Sequence, residues 1–292
     1  MNLESEIIDF KREATERTLS SIKNLPSIPK VIFDVTKLLN TPEPSAYSLS
    51  EIIIKDAGLT TKLLAIANSP LYGIKRKVSS LEFAILVLGF QEIKNIVTAL
   101  SLADSFKISG DKNFSPFDFW IHSMVTGSAA KGISQHLGFD FGSDAFVAGA
   151  LHDLGIMVIH KYLNKHFNEI VELTRNSNIS ILEAEHEVLG MSHQEIGKFI
   201  VEKWSLPVLL CDTLQYHHEP SMAKVNKELI AVIHLVDYMT QKLNVAAFYW
   251  DEKFELDTSI LPLLNFSSEE ELDAFIKEYK EMFIVTAGAI RI

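Results

Sequence analysis

The stretch SDAFVAGALHDLGIMVI, residues 143–159, decides the fold, because it sets a His-Asp doublet inside an almost entirely apolar run. Such a composition predicts a helix that is buried on nearly every side. A buried aspartate without a partner or a metal would take up a proton, so something must compensate Asp153. Adjacent side chains on a helix diverge by about 100°, so His152 and Asp153 converge only on a point between them, such as a shared metal. A hydrogen bond from a histidine to the Asp without a metal is the alternative.

Two glycines flank this doublet. Gly149 and Gly155 each disfavour the helix by about 1 kcal/mol relative to alanine. A glycine at such a position in a helix indicates close approach of another backbone, or a functional site. We therefore expect one of these two features next to the doublet.

Further histidines and aspartates lie on predicted apolar helix faces. On a helix over about 116–137, His122 shares its stripe with Phe119 and Val125, so its ring is expected to point inward. A single inward histidine is more often a core residue bonded to a neighbour than a metal ligand. A second carboxylate on an apolar face shifts that balance, because Asp237 shares a stripe with Ile230.

Imidazole and carboxylate together are the ligands of a borderline divalent metal such as zinc, iron or manganese. The series that offers them is, in chain order, His122, His152, Asp153, His193, His217, His218 and Asp237. His193 begins a predicted helix and the 217–218 doublet closes another, where packing restricts polar side chains less. Four other histidines are expected to be surface or core residues without a role: His136, His160, His166 and His186.

Composition and charge restrict the class of protein. The 292 residues are 47% hydrophobic and 22% charged, as in an ordinary globular protein, and the net charge of -11 opposes binding to bare nucleic acid. The single cysteine, Cys211, excludes an internal disulfide and fits a reducing compartment. The charged N-terminal stretch has no signal-peptide core, and the apolar stretches are shorter than the roughly 20 residues that span a bilayer. We expect a cytoplasmic protein with no nucleic-acid partner and no membrane insertion.

Helical periodicity runs almost throughout the chain, and the helix starts are plainly marked. Ser115-Pro116 offers a hydroxyl N-cap followed by a proline at the first helical position. No sustained alternation with β-branched residues appears, so the sequence predicts an all-α protein. The spacing of a capping box occurs at Ser48…Glu51, Ser180…Glu183 and Ser192…Glu195.

Three segments can be separated along this helical chain. They are an N-terminal helical lobe over residues 1–112, a bundle over 113–242 that holds the His/Asp series, and a C-terminal helical extension over 243–292. In the first segment, the short helices around Gly58 resemble a helix-turn-helix. The acidity of the chain and the apolar TTKLLAIA (60–67) favour a packed helical hairpin over DNA binding there.

The order H…HD…H…HH…D resembles the HD superfamily of metal-dependent phosphohydrolases, with residues 152–153 as the namesake doublet. The resemblance implies a minimal metal set of His122, His152, Asp153 and Asp237. In members with two metals it implies further ligands at His193, His217 and His218. The expected cofactor is therefore a divalent metal, Fe, Mn or Zn, and no other.

A narrower set of motifs runs over roughly residues 20–240. It comprises LPSIP (25–29), KDAGLTTKLLAIANSP (55–70), SSLEFAILVLGF (79–90), WIHS (120–123), GALHDLG (149–155), MSHQEIGKFIVEKWSLP (191–207) and HHEP (217–220). In this order the motifs resemble the HDOD family, the HD-related output domain of bacterial signalling. The resemblance implies an HD-domain, phosphodiesterase-like helical bundle with an N-terminal helical lobe. It also implies a regulatory role downstream of a signal, most often without catalysis and through a signalling protein partner.

Two features of the catalytic relatives are missing here. In the cyclic-dinucleotide phosphodiesterase branch a Gly-Lys follows the HD pair, and its lysine contacts phosphate, whereas here Gly155 is followed by Ile156. That branch also carries Gly-Tyr-Pro after its HHE, where this chain reads HHEPSMAKVNK (217–227). The basic residues nearest to the motifs, none with a forced inward position, are Lys131, Lys161 and Lys198.

These departures bear on function, because a phosphodiester needs Lys, Arg or a metal to offset its charge in the transition state. We therefore favour a non-catalytic regulatory protein that binds a partner. The alternative is a metal-dependent phosphohydrolase that acts on a nucleotide or a cyclic dinucleotide, for which a metal alone could suffice.

Overall fold

The computed structural model describes residues 3–22, 25–177, 179–251 and 253–291. Over these residues the predicted all-α class is confirmed, with no strand and one isolated bridge between Asp111 and Phe114. The helices are α1 (Leu3–Ser21), α2 (Lys30–Leu39), α3 (Ala46–Ile53), α4 (Ala57–Ala67), α5 (Leu81–Leu88), α6 (Phe90–Ser105), α7 (Pro116–His136), α8 (Gly142–Leu151), α9 (Leu154–Tyr162), α10 (Asn164–Asn176), α11 (Ile181–Leu189), α12 (His193–Lys203), α13 (Val208–Tyr216), α14 (Lys227–Leu243), α15 (Ile260–Leu263), α16 (Glu269–Glu278) and α17 (Lys280–Ile290). Short 3-10 turns lie at Pro70–Tyr72, Pro220–Met222 and Tyr249–Asp251.

The predicted helix starts are confirmed at three of four places. Ser115 caps α7, and Ser180 and Ser192 form complete capping boxes with the glutamates three residues on. The box predicted at Ser48 is wrong, because α3 begins earlier, at Ala46, and its N-cap is Ser45. The Ser48 backbone N–H donates to the Ser45 hydroxyl, so Ser48 already lies inside the first turn.

Close helix contacts at glycines build the bundle that contains the His/Asp series. Helix α7 packs along α8, and a Cβ on Gly149 of α8 would lie 2.9 Å from the Cα of Gly127 of α7. Helix α9 packs against α12, and a Cβ on Gly155 would lie 1.9 Å from the carbonyl oxygen of His193. The close backbone approach predicted at Gly149 and Gly155 is therefore confirmed at both.

Helices α2 to α6 pack on one another, and α6 joins them to the bundle through α8. The first helix, α1, lies elsewhere and packs on α11. Polar contacts hold α1 there: the Thr15 hydroxyl donates to the Leu189 carbonyl oxygen at 2.8 Å, and Arg12 pairs with Glu195 at 2.6 Å, among others. The last helix, α17, contacts both α4 and α7. The segment boundaries near residues 112 and 242 stay predictions.

A long apolar stretch lies in the middle of this bundle. Residues Gly142–Tyr162 have the length and hydropathy of a membrane span, and 89% of their most apolar window is buried among the other helices. A stretch buried to this degree is the core of the bundle.

Candidate metal centre

The His-Asp doublet lies in a break between two helices. Helix α8 ends at Leu151 and α9 begins at Leu154, so the prediction that the doublet lies inside one continuous helix is wrong. Asp153 has φ -94° and ψ 15°, which interrupts the helical hydrogen-bond ladder. The break frees both side chains to turn toward the same point, which an unbroken helix would hinder.

Four fully buried side chains surround that point, and we call them the inner half of the centre: His122, His152, Asp153 and Asp237. The Nε2 atoms of His122 and His152 are 3.3 Å apart. Asp153 Oδ2 lies 3.5 Å from His122 Nε2 and 3.3 Å from His152 Nε2. Asp237 Oδ1 lies 3.4 Å and 3.6 Å from the same two nitrogens. The structure thus brings together the minimal set that the sequence predicted.

The other carboxylate oxygen of Asp153 faces a second group, the outer half, which consists of His193, His217 and His218 together with this shared aspartate. Asp153 Oδ1 lies 3.4 Å from Nε2 of both His193 and His217. His193 Nε2 lies 3.3 Å from His217 Nε2 and 3.2 Å from His218 Nε2. All seven predicted residues therefore converge, with Asp153 between the two halves.

The hydrogen bond made by Nδ1 of each histidine ring determines whether Nε2, which faces the centre, presents a lone pair. A ring nitrogen facing a carbonyl or carboxylate oxygen must carry the proton, so Nε2 of the neutral ring presents a lone pair. Four of the rings have Nδ1 next to such an oxygen. Nδ1 of His122, His152 and His217 faces the backbone carbonyl oxygen of Ala246, Gly149 and Leu214, respectively. Nδ1 of His193 faces the carboxylate of Glu185. With neutral rings, four lone pairs and two carboxylates would thus meet in a buried space, where they repel one another unless protons or metal cations lie between them.

The carboxylate oxygens give the same result. Both oxygens of Asp153 and both of Asp237 are buried without a hydrogen bond among the described residues. Their distances of 3.3–3.6 Å to the imidazole nitrogens exceed the 2.7–2.9 Å usual for a charge-assisted hydrogen bond. Orphaned buried carboxylates need a cation, and a cluster of imidazole and carboxylate ligands is suited to a divalent metal.

The spacing of the inner half fits a metal as well. Five of the distances among its four donor atoms lie between 3.3 and 3.6 Å. The ligand atoms of His122, His152 and Asp153 form a triangle with edges of 3.3, 3.5 and 3.3 Å. The centre of such a triangle lies about 2.0 Å from each corner, which matches usual zinc–nitrogen and zinc–oxygen bonds. The buried His/Asp cluster can therefore hold a metal.

The pKa values reflect the same crowding of charge. Burial opposes protonation of His122, but the carboxylates of Asp153 and Asp237 outweigh it and raise the pKa of His122 to about 10. Burial also disfavours the charged form of Asp237, but His152 and His122 hold the pKa of that carboxyl well below its usual range. In the outer half, burial lowers the pKa of both His217 and His218, whereas Glu185 and Asp153 outweigh burial and raise the pKa of His193 to about 10.

Sequence reasoning missed Glu185, a fully buried carboxylate on α11 that contacts His193. Its signal was available, because Glu185 shares a helix stripe with the buried Ile181 and Leu189. The role of His234 was missed too. Its Nδ1 donates to the His217 carbonyl oxygen at 2.7 Å, and burial lowers the pKa of His234 to about 4. The histidines predicted to lack a role at the centre include His160, which bonds Asp111 at 2.9 Å.

A cavity of about 1360 Å³ reaches the outer half, where His193 and His218 form part of its wall. Helix α1 borders it on one side, and Trp250 and Phe254 on another. Four exposed glutamates line its mouth: Glu183, Glu187, Glu219 and Glu255. Two lysines, Lys11 and Lys253, line it as well. The cavity therefore opens through a rim that is more acidic than basic.

The basic residues nearest to the motifs in sequence bond elsewhere. Lys131 forms an ion pair with Glu92 at 2.7 Å, and Lys198 pairs with Glu202. Lys161 donates to the Phe106 carbonyl oxygen. Ile156, in the position of the phosphate-contacting lysine of the phosphodiesterase branch, is fully buried.

Comparison with known proteins agrees with the fold. A search of curated proteins matches one from Treponema pallidum (strain Nichols), described as uncharacterized, at 21% identity over 91% of this chain. The chain spans about half, 51%, of the length of that curated relative. Among solved structures, an HDOD domain protein of unknown function from Geobacter sulfurreducens has a TM-score of 0.78 at 23% identity, over 97% of this chain and 98% of that one.

A second solved structure, provisionally named a phosphohydrolase, comes from Shewanella amazonensis SB2B. It has a TM-score of 0.70 at 20% identity and covers 94% of this chain and 97% of its own. Fold and site together define an all-helical HD-type protein with a buried His/Asp cluster. The model of the HDOD domain matches residues 25–220, about two thirds of the chain, and the chain belongs to this family.

Proposed function

We propose that this protein is a regulatory output protein of a bacterial signalling pathway, which holds divalent metal as part of its core and acts by binding a protein partner. The observation that carries the proposal is the acidic mouth of the cavity above the outer half. Glutamates there repel the phosphates of a nucleotide, and the lysines nearest in sequence bond to other groups. Without a phosphate clamp the centre is better suited to structure than to turnover.

In this proposal His122, His152, Asp153 and Asp237 hold one metal, and Asp153 shares a second with the three histidines of the outer half. Bound divalent metal would supply the positive charge that offsets the two aspartates and, on an open side, Lewis acidity toward a phosphate oxygen or a water. The residues link α7, α8, α12, α13 and α14 through one centre. Iron, manganese and zinc all suit this donor set, so the metal is to be identified by analysis.

A second candidate function is hydrolysis of a phosphate ester. It is favoured by the fact that the cavity reaches His193 and His218, which gives a substrate access to the outer half. The provisional name of the Shewanella relative points the same way. The two lysines of the cavity wall, Lys11 and Lys253, would then have to offset the charge of the phosphate.

Elemental analysis of the purified protein, followed by hydrolysis of bis(p-nitrophenyl) phosphate and cyclic dinucleotides with added manganese or iron, separates the two functions. We expect bound metal and no turnover above that of the Asp153→Asn variant. Turnover that requires metal and is lost in Asp153→Asn would establish the hydrolase instead. Protein that binds no metal when iron, manganese or zinc is supplied would exclude both metal-based functions.

The proposed partner is a signalling protein, and the proposed location is the cytoplasm. The net charge of -11 supports a protein partner over nucleic acid, because phosphate contacts need clustered Lys and Arg. A gel-shift series over increasing salt tests this. We expect no shift of duplex DNA even at low salt, and a shift that weakens steeply as salt rises would overturn the expectation.

A further inference from the structure

Glu185 is a carboxylate that packs against the centre without belonging to its ligand set. It lies on α11, fully buried, and its two oxygens accept hydrogen bonds from two elements. The His193 backbone N–H donates to Oε2 at 2.8 Å, and the His193 ring Nδ1–H lies 2.9 Å from Oε2 and 3.0 Å from Oε1. The indole N–H of Trp250 donates to Oε1 at 2.8 Å. Three donors therefore converge on one buried carboxylate.

These bonds fix the state of His193. Because Nδ1 donates to a carboxylate, the proton of the neutral ring is on Nδ1 and the lone pair is on Nε2. Nε2 is the atom that faces Asp153 Oδ1 at 3.4 Å and His217 Nε2 at 3.3 Å. The backbone bond to Glu185 also anchors the first residue of α12, from which the ring projects.

Glu185 also balances the two halves of the centre. Asp237 lies beside His122 and His152 of the inner half and is also grouped with His217. The ligand group of the outer half contains one carboxylate, Asp153, and three imidazoles. His152 and His217 donate Nδ1–H to backbone carbonyls, but His193 donates to a carboxylate. A carboxylate behind a histidine raises its basicity as a ligand more than a carbonyl does.

We propose that Glu185 is the positioning residue of the outer half: it sets the tautomer and orientation of His193 and supplies the second negative charge that a metal there needs. This inference rests on the proposed metal centre. It places one determinant of outer-half affinity outside the seven predicted ligands, on a helix that contributes none of them.

A simpler role for Glu185 has to be separated from this one. Trp250 is buried and stacks on Phe167 with ring centroids 4.7 Å apart, so Glu185 could serve the packing of the C-terminal extension alone. The Trp250→Phe variant removes the indole donor and leaves the bonds to His193 in place. Glu185→Gln keeps the shape but loses the charge and half of the acceptor capacity.

The test uses the full chain in two measurements. In metal-free protein, the ring 15N shifts of His193 report its tautomer by NMR. Zinc and manganese titrations, with bound metal counted by elemental analysis, report the affinity of each half. The Asp237→Asn background, in which the inner half is impaired, isolates the outer half. Glu187→Gln is the matched control, because Glu187 is an exposed glutamate on the same helix and lines the same cavity.

We expect Glu185→Gln to weaken metal binding in the outer half by about 10- to 100-fold and to leave metal binding in the inner half unchanged. The variant should also have a smaller population of the Nδ1–H tautomer of His193. Trp250→Phe and Glu187→Gln should change neither the metal affinities nor the tautomer population of His193 by more than about twofold. The inference is overturned if Glu185→Gln binds both metals like wild type, or if Trp250→Phe produces the same loss. A wild-type protein that binds no metal would instead overturn the proposed centre itself, which keeps the two failures distinct.

Discussion

The inner and outer halves of the centre share Asp153 but differ in access and in charge. The inner half is fully buried and carries a second carboxylate, Asp237, whereas the outer half borders a cavity at His193 and His218. Carboxylates raise the pKa of His122 and that of His193 to about 10 against the opposing effect of burial, while burial lowers the pKa of His218 well below its usual value. From the difference in access and in the number of carboxylates, we expect the inner half to hold a cation more tightly than the outer half, whose cation should exchange with solvent through the cavity.

The two halves also depend on different helix contacts. The inner half forms where α7 meets α8 at Gly127 and Gly149, and the outer half forms where α9 meets α12 at Gly155. Since Asp153 lies between these contacts, its position couples them. Substitutions can therefore be chosen to act on both halves, on the outer half alone or on the inner half alone.

The largest effect is expected from Asp153→Asn, because both halves lose their shared ligand. We expect bound metal to fall from about two equivalents to near zero by elemental analysis. The free energy of unfolding in excess metal should fall by about 3–5 kcal/mol, as when one partner of a buried charge pair is removed. Urea unfolding with and without metal checks this. Retention of a full equivalent of metal would show that one half forms without Asp153.

The next largest effect is expected from Gly155→Ala. The added Cβ would lie 1.9 Å from the His193 carbonyl oxygen, so α12 must move away from α9 and take His193 with it. We expect a loss of about 3 kcal/mol in unfolding free energy, at the upper end for overpacking, together with loss of the second metal.

The control for this substitution is Gly288→Ala on the exposed face of α17. A Cβ there meets nothing within 4 Å, so alanine should be neutral or slightly stabilising. If Gly155→Ala bound the second metal as tightly as wild type, the α9–α12 contact would not govern the outer half.

The sequence pointed to the seven converging residues because imidazole and carboxylate side chains recur on predicted apolar faces or at predicted helix ends, and the resemblance to the HD superfamily implied that they form one ligand set. It predicted the close approach at Gly155 because a glycine within a predicted helix disfavours that helix and so indicates a packing or functional role. Periodicity does not reveal which helices become neighbours. Glu185 was therefore missed, because its contact with His193 depends on α11 packing next to α12. The break at 152–153 was missed because the apolar pattern continues without interruption from α8 into α9, and Gly149 and Gly155 were interpreted as signs of close approach and not of a helix end.

Chelation should reveal the difference in access directly. The cavity reaches the outer half at His193 and His218, whereas the inner half has no exposed ligand among the residues described. With excess EDTA we expect two phases of metal loss, the first at least about ten times faster than the second, because the buried metal leaves only through local opening. In Asp237→Asn the slow phase should disappear. A single phase in wild type would mean that both metals exchange by one route.

The smallest effect is expected from His218→Gln, which removes the ligand nearest to the cavity. His218 is 8% exposed, whereas His217 and Asp153 are fully buried, so a solvent molecule can replace its ring most easily. We expect the second metal to bind about 10-fold more weakly, at the low end for changes next to a metal, and the first to bind as in wild type. Competition of zinc binding against a chromophoric chelator measures both constants. If His218→Gln also weakened metal binding in the inner half, the two halves would be coupled through more than Asp153. The proposed difference in solvent access would then not explain their separate behaviour.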